Sequence, residues 1–201
     1  MNSIVAVMLA AGSSTRLGFN KLFLGINGVS VIRKSVQLFM GVADKIVVVT
    51  GFERERIEQE LSGLPVVFAH NADYPQGMSS SVRTALPYVT GSEGALFHLG
   101  DKPFVAPATI ERVVEAFRGG SRIVLPLFEG VKGHPVLVRG RLFLEEMAAI
   151  EGDIGLRKLV ERHGDQVRTV EGDEGCVFDI DSEEDVAELV RRGFTIEKSQ
   201  G

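Results

Sequence analysis

The chain has 201 residues, of which 44% are hydrophobic and 24% are charged, and its formal net charge is −5. This size fits one globular domain, and the acidic balance opposes binding to nucleic acid or to an acidic membrane surface. The single cysteine, Cys176, excludes a disulfide framework and a cysteine-based metal site. The apolar runs are too short to span a bilayer, and the N-terminus does not resemble a signal peptide, so we expect a cytoplasmic protein.

Strand-like and helix-like segments alternate through the first 120 residues. Short apolar runs predict strands, and apolar residues at helical spacing predict helices. The predicted strands are 4–9, 45–50, 65–69 and 95–99, and the predicted helices are 31–39, 53–61, 78–89 and 108–117. Strands separated by helices of this length favour parallel pairing with right-handed crossovers.

The pattern changes after residue 122. Two strand-like runs joined through Glu129-Gly130 predict an antiparallel hairpin. The later predicted elements are the hairpin strands 123–128 and 135–138, helices 142–150 and 155–163, strands 167–170 and 177–180, and a final helix 182–192. Ser182 and Asp185 fit a capping box, and the tail after Thr195 is expected to fray. The sequence therefore predicts a three-layer α/β/α, Rossmann-like fold whose mostly parallel sheet carries an antiparallel hairpin insert.

A loop of small and hydroxyl residues, LAAGSSTRLGFNK, runs from Leu9 to Lys21 after the first predicted strand. Small residues let backbone N–H groups approach an anion closely, and the cations Arg16 and Lys21 can neutralise phosphate oxygens. Ligands of open α/β sheets bind at this end of the strands, which favours a polyphosphate site over a flexible loop with two solvated charges. The glycine spacing fits neither a P-loop nor a Gly-x-Gly-x-x-Gly dinucleotide motif.

Two further segments carry candidate chemistry. Asp101 lies in a tight turn directly after a predicted strand, and Mg²⁺ is commonly held by one or two carboxylates plus substrate phosphates. The alternative is that this Gly-Asp-x-Pro sequence only closes a turn. The segment 71–81 ends in a serine cluster at a predicted helix start, where N–H groups and hydroxyls can bind a base edge or a ribose. Serines in such places more commonly act as N-caps.

The first loop resembles the opening motif of a nucleotidyltransferase family, Leu-Ala-Ala/Gly-Gly-x-Ser-x-Arg-x-Gly-x-x-Lys. The matching residues are Leu9, Ala10, Ala11, Gly12, Ser14, Arg16, Gly18 and Lys21, and Asn20 stands where many members have proline. Later matching segments are Gly77-Met78-x-x-Ser81, Asp101-Lys102-Pro103, Gly133-His134-Pro135, Gly152-Asp153-x-Gly155-x-Arg157 and the looser Asp181-Ser182-Glu183-Glu184-Asp185. From Leu9 to about Val190, the chain is similar to MobA-like nucleotidyltransferases, and within them to the molybdenum-cofactor cytidylyltransferases.

The resemblance implies one nucleotidyltransferase domain over 1–201, with a nucleotide-binding part at about 1–120 and an acceptor-binding part at about 121–180. The implied reaction is Mg²⁺-dependent transfer of a cytidylyl group from CTP to the phosphate of molybdopterin, with release of pyrophosphate. A molybdoenzyme or chaperone would then receive the product. Alternatives left open are GTP as donor, a sugar, polyol or lipid phosphate as acceptor, a non-catalytic nucleotide- or cofactor-binding protein, and a plain partner-binding module.

The resemblance also implies roles residue by residue. The implied catalytic residues are Arg16, Lys21 and Asp101, and the implied metal ligands are Asp101 and Asp181. The implied nucleotide-binding residues are Leu9, Ala10, Ala11, Gly12, Ser13, Ser14, Arg16, Lys21, Gly77, Met78, Ser81 and Asp101. The implied acceptor-binding residues are His134, Asp153, Gly155 and Arg157.

The roles of Asp181 and His134 have alternatives, and Ala11 carries a hypothesis about the base. Asp179 is a backup metal ligand, because alternation along a strand would point it the same way as Asp181, and Asp181 could instead only cap the last helix. His134 could be a structural hydrogen-bonding group. Guanylyl-transferring relatives tend to carry glycine where this chain has Ala11, so we hypothesise that the added methyl favours a pyrimidine base.

Overall fold

The computed structural model describes residues 3–13 and 17–198. The strands are β1 (Ile4–Ala10), β2 (Gly25–Ile26), β3 (Val29–Ser30), β4 (Lys45–Thr50), β5 (Val66–His70), β6 (Gly94–Leu99), β7 (Ile123–Phe128), β8 (Val131–Lys132), β9 (Val136–Arg139), β10 (Val167–Glu171) and β11 (Ile196–Glu197). The helices are α1 (Val31–Gln37), α2 (Arg54–Glu60), α3 (Met78–Val89), α4 (Pro107–Arg118), α5 (Gly140–Ala148), α6 (Arg157–Arg162) and α7 (Glu183–Arg191).

The main sheet has eight strands in the order β10-β7-β9-β6-β1-β4-β5, with β8 beside β7. β1 lies between β4 and β6, and both of these pairs are parallel, as is the pair of β4 with β5. β9 is antiparallel to β6 and β7, whereas β10 is parallel to β7. The carboxyl ends of β1, β4, β5 and β6 therefore meet along one edge of the sheet.

Helices cover both faces of this sheet. Along β1, Ala6 and Met8 belong to one buried cluster, and Val5 and Val7 belong to a second one. Residues of α1, α2 and α4 pack in the first cluster, and residues of α3, α5 and α6 pack in the second. Burial on both faces explains the nearly continuous apolar sequence of the central parallel strands. The predicted three-layer α/β/α arrangement is confirmed.

The predicted antiparallel hairpin is also present, but its return strand is divided. β8 follows Glu129-Gly130 and pairs with β7, and β9 resumes the pairing at Val136. The interruption is the segment Gly133-His134-Pro135, whose His134–Pro135 peptide bond is cis. The break leaves this segment at the edge of a pocket instead of within the ladder.

The predicted strand at 177–180 is wrong. This segment follows a 3₁₀ turn at Glu174–Cys176 and makes local hydrogen bonds, from the amides of Val177 and Phe178 to the carbonyl of Glu174. Its apolar pattern arises from burial of an irregular segment, with Ile180 fully buried. The helix predicted from residue 155 begins instead at Arg157.

A second sheet, of three strands in the order β11-β2-β3, was not predicted. The tail expected to fray contributes β11, which pairs with β2. Two-residue strands carry too few positions to show a periodic pattern. The capping box predicted for Ser182 and Asp185 is present at the start of α7. Across residues 3–13 and 17–198, the helices are all too short or too polar to traverse a bilayer.

Candidate active site at the carboxyl ends of the strands

A cleft of about 880 Å³ lies over the carboxyl ends of β1, β4, β5 and β6. Its lining residues are Leu9, Ala10, Ala11, Gly12, Ser13, Asn20, Leu22, Phe52, Tyr74, Pro75, Gln76, Gly77, Met78, Ser81, Leu99, Asp101 and Asp153. The start of the loop after β1 is anchored on both sides: the Leu9 carbonyl accepts a hydrogen bond from Gly100 N (3.0 Å), and the Ala11 carbonyl accepts one from Phe52 N (3.1 Å). Five of the predicted nucleotide-binding residues, Leu9 to Ser13, therefore line one cleft. Ser14 and Arg16 lie outside the described residues.

Lys21 begins a 3₁₀ turn at Lys21–Phe23, and Asn20 caps this turn by accepting a hydrogen bond from Leu22 N (3.2 Å). Asn20, which stands where many members of the resembled family have proline, thus stabilises this turn through its side chain. The Lys21 ammonium lies 2.5 Å from Asp101 Oδ2 and also bonds Asp181 Oδ1, 160 residues away along the chain. The predicted convergence of the first loop with the two acidic segments is confirmed.

The electrostatics of Lys21 follow from this position. Its burial disfavours the charged form, but the carboxylates of Asp101 and Asp181 outweigh burial, so the pKa of Lys21 is raised above its usual value. The ammonium therefore stays charged at neutral pH. It occupies the space between two carboxylates that were predicted to bind a cation.

Three carboxylates form an acidic cluster at this end of the cleft. Asp101, Asp179 and Asp181 each offer an oxygen, and these atoms all lie within 4.8 Å of one another. Burial is the main cause that raises the pKa of Asp179, with the neighbouring aspartates adding to it and Lys102 opposing it. Oxygen donors of this number and spacing suit a hard divalent cation such as Mg²⁺ or Mn²⁺. Both predicted candidates for the second ligand thus stand beside Asp101.

Lys102 was not singled out from the sequence. Its side chain is buried, and its ammonium donates to the Val177 carbonyl (2.9 Å) and lies 3.8 Å from Asp179 Oδ2. These contacts tie the irregular segment before Asp179 to the turn that carries Asp101. The sequence signal for Lys102 was its position between Asp101 and Pro103, in a turn flanked by the apolar residues Leu99 and Phe104.

The start of α3 forms the neighbouring part of the cleft. Gly77, Met78 and Ser81 line the cleft as predicted, but no serine side chain caps α3. Instead, Asp153 from the facing loop accepts a hydrogen bond from Met78 N (2.9 Å). The hydroxyls of Ser80 and Ser81 accept hydrogen bonds from Asn71 Nδ2, so the N-cap interpretation of the serine cluster is wrong.

A second pocket of about 560 Å³ adjoins the cleft, and Met78 and Asp153 line both. Its other lining residues are Leu125, Val131, Lys132, Gly133, His134, Val136, Ile154, Leu156, Arg157, Val160 and Glu161. Gly155 has a positive φ of 48°, and a Cβ there would lie 2.7 Å from Met78 Sδ. All four predicted acceptor-binding residues are therefore at or beside this pocket, although Asp153 also caps α3.

His134 contacts a second buried histidine, His98, with ring centroids 6.3 Å apart. His98 Nε2 lies 2.9 Å from the Lys102 carbonyl, which requires this nitrogen to be the donor. Burial, with smaller effects of neighbouring positive charge, lowers the pKa of His98 to about 3 and that of His134 to about 4. Both rings are therefore neutral at pH 7, and His134 presents a hydrogen-bonding group instead of a charge.

Sequence comparison identifies related proteins. A family model described as MobA-like NTP transferase domain matches residues 6–167. The molybdenum cofactor cytidylyltransferase of Escherichia coli (strain K12) is 30% identical over 139 residues, covering 69% of this chain and 71% of that protein. The 2-C-methyl-D-erythritol 4-phosphate cytidylyltransferase of Rhodococcus opacus (strain B4) is 30% identical over 201 residues, covering 85% and 86%.

Solved structures agree with this assignment. A nucleotidyl transferase from Methanothermobacter thermautotroptrophicus superposes with a TM-score of 0.80 at 26% identity, covering 96% of this chain and all of that one. A Mycobacterium tuberculosis H37Rv protein solved in complex with manganese also gives 0.80 at 26% identity, covering 94% and 98%. By sequence over most of its length and by fold, this chain belongs to the MobA-like NTP transferase family and is a nucleotidyltransferase.

Proposed function

We propose that this enzyme transfers a cytidylyl group from CTP to the phosphate of molybdopterin, in the presence of Mg²⁺, and releases pyrophosphate. The observation that carries the proposal is the ion-paired cluster of Lys21, Asp101 and Asp181 at one end of the cleft lined by the loop after β1. The similarity to a molybdenum cofactor cytidylyltransferase supports the choice of acceptor. We further propose that the enzyme acts in the cytoplasm and passes its product to a molybdoenzyme or chaperone.

The phosphates of CTP would bind at the charged end of the cleft. Backbone N–H groups of Gly12 and Ser13 would meet the phosphate oxygens, with Lys21 close by. The role of Arg16 as a second cation rests on the sequence motif. Asp101 and Asp181, with Asp179 beside them, would hold the divalent ion, which when bound would neutralise phosphate charge and orient the triphosphate.

The reaction needs no nucleophile from the protein. An oxygen of the acceptor phosphate attacks the α-phosphorus, the bond to the β-phosphate oxygen breaks, and pyrophosphate leaves. The main obstacle is repulsion between two anions, so positioning and electrostatic stabilisation carry such transfers. Lys21 bonds Asp101 and Asp181 here, and it would release them to contact phosphate.

The second pocket would hold the acceptor. Its apolar lining suits a flat ring system, and Arg157 at its margin is a cation that an acceptor phosphate can reach. Because the neutral ring of His134 lies in the same pocket, it would contribute a hydrogen bond without adding charge. Because Met78 and Asp153 line both pockets, the acceptor and the nucleotide would bind side by side.

The choice of base rests on Ala11, whose backbone and methyl lie buried beside the cleft. We propose that this methyl narrows the base site and favours cytosine over guanine. Titration of CTP and GTP in the presence of Mg²⁺ tests this, with Ala11→Gly as the matched variant. Tighter binding of GTP than of CTP by the wild type would contradict the proposal.

A second candidate acceptor is a small polyol phosphate. It is favoured by the Rhodococcus opacus relative, whose match covers more of this chain than the molybdenum cofactor enzyme does. The two acceptors are separated by measuring pyrophosphate release from each of the four NTPs with molybdopterin, with 2-C-methyl-D-erythritol 4-phosphate, and with neither. Release that depends on CTP and molybdopterin supports the first proposal, and release that depends on the polyol phosphate supports the second. CTP binding without release under any condition would indicate a non-catalytic protein.

A further inference from the structure

Phe52 is a large apolar side chain that the structure leaves exposed inside the main cleft. It is 38% exposed, and it is the aromatic member of the group of large hydrophobic residues that stay exposed in the described part of the chain. The others are Val67, Val131, Leu142 and Val190. Exposed apolar area within a concave site commonly marks ligand contact.

The backbone around Phe52 holds its ring next to a second aromatic side chain. The ring centroids of Phe52 and Tyr74 are 6.4 Å apart, and both side chains line the cleft. Gly51, directly before Phe52, has no room for a side chain, since a Cβ there would lie 2.8 Å from both the Ala11 carbonyl oxygen and Tyr74 Cβ. We name this pair the aromatic wall, and the Phe52 amide joins it to the loop after β1 by its hydrogen bond to the Ala11 carbonyl (3.1 Å).

Phe52 of the aromatic wall and Asp101 of the acidic cluster follow strands on opposite sides of β1. Asp101 follows β6 and Phe52 follows β4, and β1 lies between these two strands. Two strand spacings separate the two positions by about 10 Å. A nucleotide whose phosphates lie at Lys21 and Asp101 would place its base near the wall.

We propose that Phe52 and Tyr74 stack against the base of the bound nucleotide, and this inference rests on the proposed binding of CTP in the cleft. Every base has a π-face, so stacking on such a wall adds affinity with little regard to base identity. The wall would therefore tighten nucleotide binding, while discrimination between bases would depend on hydrogen bonds and on the space beside Ala11. In this proposal, the rings of Phe52 and Tyr74 act by contacting the bound base and not by packing in the protein core.

The test compares nucleotides with a probe that has no base. Binding of CTP, GTP and inorganic tripolyphosphate is measured by calorimetry in Mg²⁺ for wild type, Phe52→Leu and Phe52→Tyr. We expect Phe52→Leu to weaken CTP and GTP each by about tenfold and to leave tripolyphosphate unchanged. Phe52→Tyr keeps the ring and should bind as the wild type does. Leu142→Ala, which trims an exposed side chain on α5, is the control for loss of surface hydrophobicity.

A parallel pair of variants tests the second ring. Tyr74→Phe should retain nucleotide affinity, and Tyr74→Leu should weaken it while leaving tripolyphosphate unchanged. Wild-type affinity for CTP in both leucine variants would overturn the proposal, as would an equal loss of affinity for tripolyphosphate. Because the measurement needs no turnover, it separates the two proposals: absence of pyrophosphate release by the wild type would refute the catalytic function alone, and a wild type that binds CTP no better than tripolyphosphate would refute the aromatic wall.

Discussion

The charged end of the main cleft and the second pocket are held together in different ways. At the charged end, Lys21 and Lys102 lie among Asp101, Asp179 and Asp181, and the contacts join segments far apart in the chain. The second pocket has a largely apolar lining in which Lys132, Asp153, Arg157 and Glu161 are the charged residues. The exposed side chain of Arg157 pairs with Glu161 on the same helix at 2.9 Å. The first region therefore has charges that several ion pairs hold at short distances, whereas the second has an apolar surface and the exposed cation of Arg157.

This difference implies a division of labour. Fixed charges in a partly buried site stabilise charge that develops in the transition state, so changes there should act on the rate. An exposed cation beside an apolar pocket contributes mainly to ground-state binding, so changes there should act on the acceptor KM. Variants in the two regions should therefore separate an effect on the rate from an effect on binding, and the effect on the rate should be the larger one.

The largest effect is expected for Asp101→Asn. The variant keeps the shape of the side chain and removes a charge that would hold the divalent ion, so turnover should fall by at least about 100-fold. The measurement is pyrophosphate release at saturating CTP and Mg²⁺, with thermal unfolding to confirm the fold. Asp165→Asn, at an exposed aspartate outside both pockets, is the control. Normal turnover in Asp101→Asn would remove the metal assignment.

Lys21→Met should lower turnover by about 100-fold, because it removes a cation that would neutralise phosphate. The same variant should bind Mn²⁺ more tightly in the absence of nucleotide, since the ammonium no longer bonds Asp101 and Asp181. Mn²⁺ titration followed by electron paramagnetic resonance checks the second outcome, and Lys158→Met on α6 serves as the matched control. Weaker Mn²⁺ binding in Lys21→Met would show that Lys21 supports the cation site instead of competing for it.

A smaller effect, confined to binding, is expected for Arg157→Gln. Loss of one charge-assisted contact should raise the acceptor KM by about tenfold and leave the Kd for CTP unchanged. Steady-state kinetics with varied acceptor, together with CTP calorimetry, give both quantities. Arg162→Gln lies on the same helix outside the pocket and should behave as the wild type. A fall in kcat without a change in the acceptor KM would contradict this prediction and would indicate that Arg157 acts on the rate, as expected for Lys21 and Asp101.

The smallest effect concerns stability in acid. The pKa of His134 is about 4 in the folded chain and near its ordinary value of 6.5 when unfolded. Between these values the unfolded chain binds more protons, so the free energy of unfolding should fall as the pH is lowered from about 6.5 to 4. Urea unfolding at several pH values should show a shallower fall for His134→Gln, whereas the exposed His70→Gln should follow the wild type. An identical fall in His134→Gln would indicate that other groups cause the acid sensitivity.

The sequence predicted the parallel half of the molecule well. There, strands such as β4 are nearly continuous runs of valine and isoleucine. The small and hydroxyl residues of the loop after β1 predict an anion site at the carboxyl end of that strand. The convergence of Lys21 with Asp101 and Asp181 was predictable because the motifs imply a shared phosphate ligand. The distances between these side chains were not predictable, because no local sequence pattern records contacts between residues far apart in the chain.

Elsewhere, tertiary contacts override the local pattern. The segment 177–180 has the apolar composition of a strand, but the Val177 carbonyl accepts from Lys102 Nζ and the amides of Val177 and Phe178 donate to the Glu174 carbonyl, so these groups are not paired with a strand. Asp153 was expected to bind the acceptor, and its bond to Met78 N comes from a loop 75 residues away, which no spacing rule would reveal. Phe52 lies outside every motif, and its position beside Tyr74 depends on tertiary contacts that no local pattern records.

The small sheet has a consequence for motion near the chemistry. The amide of Asn27 donates to the Thr195 carbonyl, and the Asn27 side chain accepts from the Thr195 amide, both at 2.8 Å. These two reciprocal hydrogen bonds, named here the clasp, join the turn between β2 and β3 to the residue before β11. Lys21 lies shortly before Asn27 in sequence. Helix α7, which follows Asp181, ends at Arg191, shortly before Thr195. If these hydrogen bonds break, we expect the segments that carry Lys21 and Asp181 to separate more readily. Deuterium uptake at the Asn27 amide should therefore report how often the segments that carry Lys21 and Asp181 separate.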